Sequence, residues 1–367
     1  MKRELLSRTE CNALRGIAII GIFLHNYCHW LRHVVQENEY QYFWHNFAWL
    51  NHEMERDFNT LSLFHIISFF GHYGVPIFLF LSAYGLYMKY EKGDFIGTKE
   101  PSAMAFIKYH WLKLFRMMIV GFVAFTMIDA ITPGQHHYAP LDIIAQLGLF
   151  NNLLPHPDDV IWPGPYWYFG LMIQIYIVYR LLLYRRHWGY TVGLILLCAI
   201  IQVECSPESD ELNRWRYNFI GGVLPFGFGL LYAKFMPQVA KIGHILIFCV
   251  SLVAIYAFNF TYLTWYLIPI FICTAAISFI KLVQVWGSLF HLMAWVGGIS
   301  SALFVCHPIT RKIFIPISRG GDHWTGLLLY IISSICLAWL FKELMKRIPS
   351  PKPVSYTHLT LPTILLV

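Results

Sequence analysis

Arg15 and His25 stand ten residues apart in an otherwise apolar run that opens at Asn12 and closes at Asn26. Ionisable groups inside a membrane-length apolar segment are costly and normally face a bundle interior or a wet cavity, so this pair is the first place to look for chemistry. At about 1.5 Å per residue the two lie roughly 15 Å apart along a helix axis, one near a membrane face and the other deep inside. An imidazole titrates near neutrality and suits a general base, whereas a guanidinium is a natural partner for phosphate.

The elements that must position this pair are membrane helices. Of the 367 residues, 57% are hydrophobic and only 13% charged, with a mean hydropathy of +0.53, against about 25% charged in a soluble domain. Apolar stretches predict an all-α polytopic bundle of about ten transmembrane helices, at 12–31, 66–88, 106–129, 163–183, 189–204, 217–233, 242–258, 262–280, 289–314 and 324–341. With both ends cytoplasmic, the inner segments hold 20 of the 27 Lys/Arg and 6 of the 20 Asp/Glu. The net charge of +7 is then an orientation signal, which argues against nucleic acid as a partner.

The N-terminal span lacks a small-residue cleavage site and reads as a signal anchor. The eight cysteines are scattered singly, as buried small hydrophobes would be. Two outer loops stand out: 32–65, acidic and aromatic, with Glu37, Glu39, Trp44, Trp49 and Glu53, and 130–162, rich in turn residues. No repeat and no soluble extension is visible, so function must reside in one membrane bundle. The segment from Val354 to Ile364 resembles a translated sequencing-adapter read, and 353–367 is set aside from fold reasoning.

Five stretches taken together resemble the acyltransferase-3 family of integral membrane O-acyltransferases. They are Leu14 to His25, Gly74 to Leu86 (with Ser82, Ala83 and Tyr84), Lys113 to Arg116, Trp167 to Tyr176, and Gly298 to Pro308, which carries His307. Their order and spacing cover about 8–347, so that 1–352 reads as one membrane acyltransferase domain. The resemblance implies transfer of an acyl group, acetyl above all, from cytoplasmic acyl-CoA to a hydroxyl of a cell-surface or exported carbohydrate, in a bacterial inner membrane.

The family's basic residue and histidine on the first helix fall on Arg15 and His25, and its basic pair before the third helix on Lys113 and Arg116. Arg15, Lys113 and Arg116 are accordingly candidates for the CoA phosphates, His25 for the base and Asn26 for a catalytic hydrogen-bond donor. Ser82, Tyr84, Trp167, Gln174 and His307 are candidates for the substrate side. The sequence departs from the family in two ways. Many relatives carry two glutamates where this chain has Met172 and Ile173, and they place ten residues between the first pair where this chain has nine. On a regular helix an i, i+10 pair is about 80° out of phase, and Asn26 takes the in-phase position.

A competing constellation is His25, His29 and His33 at i, i+4, i+8, echoed by His65 and His72. Histidines so spaced can chelate a metal or ligate haem, but no carboxylate or cysteine partners them at ligand spacing along the chain, and the expectation is no metal and no bound cofactor. The rival class is a transporter or flippase of a lipid-linked or small polar solute. It lacks the inverted repeats many transporters show.

Overall fold

The structure, a computed structural model, describes residues 5–56, 59–92 and 101–351. The tail set aside from 353 lies outside them. Among the described residues the protein is entirely helical, with no strand. The helices are α1 Arg8–Cys28, α2 Trp44–Glu55, α3 Ser62–Phe70, α4 Gly74–Tyr90, α5 Ala103–Ile131, α6 Pro140–Gly148, α7 Pro157–Val160, α8 Trp167–Val178, α9 Trp188–Val203, α10 Asp210–Arg216, α11 Phe219–Phe235, α12 Lys241–Ala257, α13 Tyr262–Trp265, α14 Ile268–Val283, α15 Gly287–Gly297, α16 Ser300–Arg319 and α17 His323–Arg347.

Each of the ten apolar stretches of the sequence becomes a helix or a helical pair. Among the described residues, five qualify as membrane spans by length and apolarity: Ser62–Tyr90, Ala103–Ile131, Gly164–Leu183, Lys241–Phe260 and His323–Arg347. A sixth arises if α15 and α16, bent by 71° at their junction, form one broken span. The expected count of ten exceeds this for physical reasons. Helices α9, α11 and α14 have 16 or 17 residues, short of the roughly 20 that cross a bilayer core upright. Helix α1 is long enough at 21 residues, but Asn12, Arg15, His25 and Asn26 reduce its apolarity. That dilution is itself informative, since α1 is the helix about which the bundle is built.

Helix α1 begins at a capping box, with Ser7 Oγ accepting from the Glu10 N–H and Glu10 Oε2 from the Ser7 N–H at 2.6 Å. Lys281 of α14 then pairs with Glu10 Oε1 at 2.5 Å and donates to the Leu5 carbonyl, tying the start of α1 to the bundle. Along its length α1 packs on α15, α3, α4 and α16. Two glycine crossings let it lie this close. Gly16 meets Gly297 of α15, where a Cβ on either residue would collide with backbone. At Gly71, between α3 and α4, a Cβ would fall 2.6 Å from the Gly21 carbonyl oxygen and 2.6 Å from the His25 Cβ. This second crossing brings the α3–α4 junction against the histidine of α1.

The outer loop after α1 is fastened onto that junction. Val35 donates its N–H to His65 Nδ1 at 3.2 Å and accepts from Ser68 Oγ at 2.6 Å. Beyond it, Asn46 Nδ2 donates to the Glu37 carbonyl and to Asn38 Oδ1, and Asn38 bonds Phe43 in both directions. Held at Val35 and at Asn38, the chain has little freedom at Glu37, whose side chain is turned back toward α1.

Candidate active site

The loop, the α3–α4 junction and α1 converge on His25, which is only 3% exposed. Its Nδ1 lies 2.8 Å from the Ser68 carbonyl oxygen. A carbonyl only accepts, so Nδ1 carries the proton and Nε2 keeps its lone pair in the neutral ring. Nε2 faces Glu37 Oε1 at 3.8 Å, and the same oxygen is 3.1 Å from His29 Nδ1. The His29 and His72 rings lie 4.7 and 5.6 Å from that of His25. Burial alone would raise the Glu37 carboxyl, but His29 and His25 beside it hold it well below the usual carboxylate range.

These groups open onto a cavity of about 320 Å³. Its walls are aromatic, with Trp30, Trp162, Trp167, Tyr40 and Tyr217, and it is edged by Glu37, Glu39, Asp158 and Arg311. Tyr40 stacks on Tyr217 with ring centroids 3.9 Å apart, and Trp167 stands edge-on to both. Asp158 is held by the Tyr217 hydroxyl and by Asn213 Nδ2 at 2.5 Å. A second, shallower groove of about 310 Å³ shares Glu37, Glu39, Tyr40 and Asp158 with the first, so the acidic residues line both spaces. Glu39 keeps some accessible surface there; burial, and then the charge on Glu37, push its carboxyl well above the normal range.

On the facing wall Asn26 and Arg311 work as a pair. Arg311 is buried and donates from Nη1 to the Asn26 carbonyl at 3.2 Å and to Asn26 Oδ1 at 3.4 Å, while Asn26 Nδ2 donates to the Ile22 carbonyl. The Arg311 guanidinium lies 5.1 Å from the centre of the Trp30 ring, which Arg319 also approaches at 5.8 Å. No described carboxylate pairs with Arg311.

The other sequence candidates fall into two groups. Trp167 joins His25 and Asn26 in the cavity wall. Arg15, 6% exposed, donates to Asn12 Oδ1 at 3.2 Å and lies within electrostatic reach of Tyr168, Tyr176 and Lys113. Lys113 in turn feels Lys89, and His110, one turn before it, packs at a tilt against Tyr176 with ring centroids 4.2 Å apart and neither ring nitrogen bonded. These form a cationic, aromatic cluster at the far end of α1. Tyr168 belongs to both regions, since it lines the cavity and also lies beside Ser82 and near Arg15.

The remaining candidates bond elsewhere. Tyr84 holds the Leu6 backbone, accepting its N–H at 3.0 Å. Gln174 bridges to Asn218 at 2.8 Å and to the Phe219 N–H at 3.0 Å. Arg116 donates to the Met345 and Ile348 carbonyls at the end of α17. His307 is fully buried, with Nδ1 on the Leu303 carbonyl at 3.1 Å and Nε2 unpartnered, one turn below Arg311. Because α1 is continuous from 8 to 28, the phase mismatch of Arg15 and His25 is resolved by His25 entering from a neighbouring face, with Asn26 beside it.

Of the residues around His25, Arg311 was not singled out from the sequence, while Glu37 was named only as one acid of the outer loop and His72 only as an echo of the histidine series. The statement that no carboxylate partners the histidines is corrected by Glu37, which reaches His29 through the folded loop, and His33 does not join the cluster but sits exposed at φ 60°. Arg311 had a visible signal, the i+4 spacing from His307.

A bundle of apolar helices enclosing a buried histidine, with cations at one end and an aromatic cavity at the other, defines a multi-pass membrane protein. Residues 8–343 match the model of the acyltransferase-3 family, described as an acyltransferase domain, and the chain belongs to that family. No curated protein and no solved structure matches it.

Proposed function

We propose that this membrane acyltransferase moves an acetyl group from cytoplasmic acetyl-CoA, or a related acyl-CoA, to a hydroxyl of a carbohydrate at the outer face of a bacterial inner membrane, with both chain ends cytoplasmic and about ten spans. The observation that carries the reading is the His25 ring, held by Ser68 at Nδ1 with Nε2 free beside an aromatic and acidic cavity. Aromatic faces flanked by carboxylates suit a sugar ring, and the aromatic–cationic cluster about Arg15 and Lys113 suits the charged end of a CoA. The roughly 15 Å between them matches a thin pantetheine arm with phosphates at one end and a thioester at the other.

In the reaction His25 Nε2 takes the proton of the acceptor hydroxyl as its oxygen attacks the thioester carbonyl carbon. The tetrahedral intermediate carries its charge on the former carbonyl oxygen, and Arg311, which lines the same cavity as His25, supplies a cation for it. The C–S bond then breaks, and the proton held by His25 passes to the leaving thiolate. The products are an ester and free CoA.

The test is incubation of the purified chain in nanodiscs with [acetyl-¹⁴C]CoA and an exported glycan. Label recovered in the glycan as an alkali-labile ester, with stoichiometric CoA release, is the expected result. A protein that consumes no thioester under these conditions but moves a solute across vesicles is a transporter, and the proposal fails.

A further inference from the structure

We propose that His25, His29 and Glu37 form a binding site for a zinc-like transition-metal ion, and that an ion held there switches the enzyme off by occupying the imidazole nitrogen. The binding half stands on geometry alone. The inhibitory half rests on the reading of His25 as the base.

Each of the three residues offers one ligand atom, and all of these lie within 4.8 Å of one another. Two separations are 3.1 Å (His29 Nδ1 to Glu37 Oε1) and 3.8 Å (His25 Nε2 to Glu37 Oε1). Tetrahedral ligands at the usual distances of about 2.0–2.2 Å from zinc stand about 3.3 Å apart, so small side-chain rotations close the set. The supporting contact is already made: the Ser68 carbonyl takes the Nδ1 proton of His25, which leaves Nε2 as the ligand and fixes the ring.

A second observation points to a ligand independently. His72 is 4% exposed, makes no well-formed hydrogen bond at either ring nitrogen beyond a weak approach to the Phe69 backbone, and lines the same cavity with its ring 5.6 Å from that of His25. Glu37 Oε2 is likewise buried without a partner. Burying several unpaired polar atoms in one place is expensive, and an ion with its water ligands would engage them. Two imidazoles and one carboxylate are a donor set for zinc rather than for magnesium or calcium, which prefer oxygen throughout. His72 or a cavity water completes the coordination. A cation there would also match the carboxylate that the loop presses against α1.

The test uses the full chain, purified and stripped with chelator. Cobalt(II) should bind saturably, one per chain, with the intense visible absorption of a four-coordinate ion, and zinc should displace it. Zinc affinity, measured against a chromophoric chelator, should fall at least about tenfold in His29→Ala and in Glu37→Gln, while His33→Ala, on the exposed part of the loop, binds as the parent does. In the transfer assay zinc should lower turnover with the same midpoint, and EDTA should restore it. Absence of saturable cobalt binding, or equal affinity in all the variants, overturns the site. Binding without loss of turnover overturns the inhibitory role and also the assignment of His25 as base. Turnover that disappears on chelation and returns with zinc would likewise overturn the inhibitory role, making the ion a requirement. Since binding is read by absorption, a chain that transfers no acetyl still reports on the metal site.

Discussion

The two ends of α1 are built on opposite electrostatic plans. Around Arg15 the neighbours are Lys113, Lys89 and aromatic rings, and no described carboxylate pairs with Arg15. Around His25 the neighbours are two histidines, a carboxylate and a lone guanidinium, arranged about a cavity large enough for a sugar-sized group. The first end is made by helices alone. The second depends on a loop, because Glu37 reaches His25 only after Val35 and Asn38 have been fastened down. On the proposed reading, the end that binds the anionic part of a CoA needs little beyond unneutralised cations. An end that moves a proton needs a defined tautomer and neighbours within a few ångströms, and that takes several elements converging.

The largest effect expected to break this contrast is at the base. His25→Ala should lower kcat at least about 10²-fold, the low end of what a positioned acid or base contributes, while CoA still binds at the other end. Binding measured by calorimetry beside steady-state turnover checks both parts. Loss of CoA binding in this variant would mean the two ends are not separate.

Gly71→Ala attacks the same end without replacing any reacting residue. The added methyl would press on the Gly21 carbonyl and the His25 Cβ, and overpacking of this kind costs about 1–3 kcal/mol. A thermal shift with a drop in kcat of about tenfold, and an unchanged KM for acyl-CoA, is the expected pattern.

Lys113→Ala should do the converse and raise the acyl-CoA KM by about tenfold, as loss of a charge-assisted contact would, with little change in acceptor KM. Arg116→Ala sharpens the comparison. Its guanidinium bonds the Met345 and Ile348 carbonyls, so it should lower thermal stability more than it raises the KM. Equal KM effects from both would put Arg116 in the donor site as well.

The smallest effect is in pH dependence. Burial and the Glu37 charge push the Glu39 carboxyl up, so the folded chain holds that proton where the unfolded chain has lost it. A raised folded-state value makes this group increasingly unfavourable as pH rises above the unfolded carboxyl range, near 4.3. Glu39→Gln, which mimics the protonated acid, should therefore melt higher than the parent at pH 7, with the difference vanishing below about pH 4. A difference that grows on acidification would reverse the assignment.

Helix formation was legible along the chain, because apolar runs and capping residues act over one or two turns. So were Arg15 and His25, whose expense in an apolar helix marks them without reference to anything else, and the family, whose five stretches follow one another in order. Glu37 could be read only as one acid among several in a loop, and Gly71 only as one residue of the apolar stretch 66–88. Their roles depend on contacts between segments far apart in sequence, 43 residues in the case of His25 and Ser68 and 285 in that of Asn26 and Arg311. The same holds for the candidates that took structural work, since whether Tyr84, Gln174 or Arg116 faces a substrate or a neighbouring backbone depends on which helix lies across from it. Local periodicity determines which face of a helix is apolar. Only tertiary packing, here two glycine crossings and a loop fastened at two points, decides what that face meets.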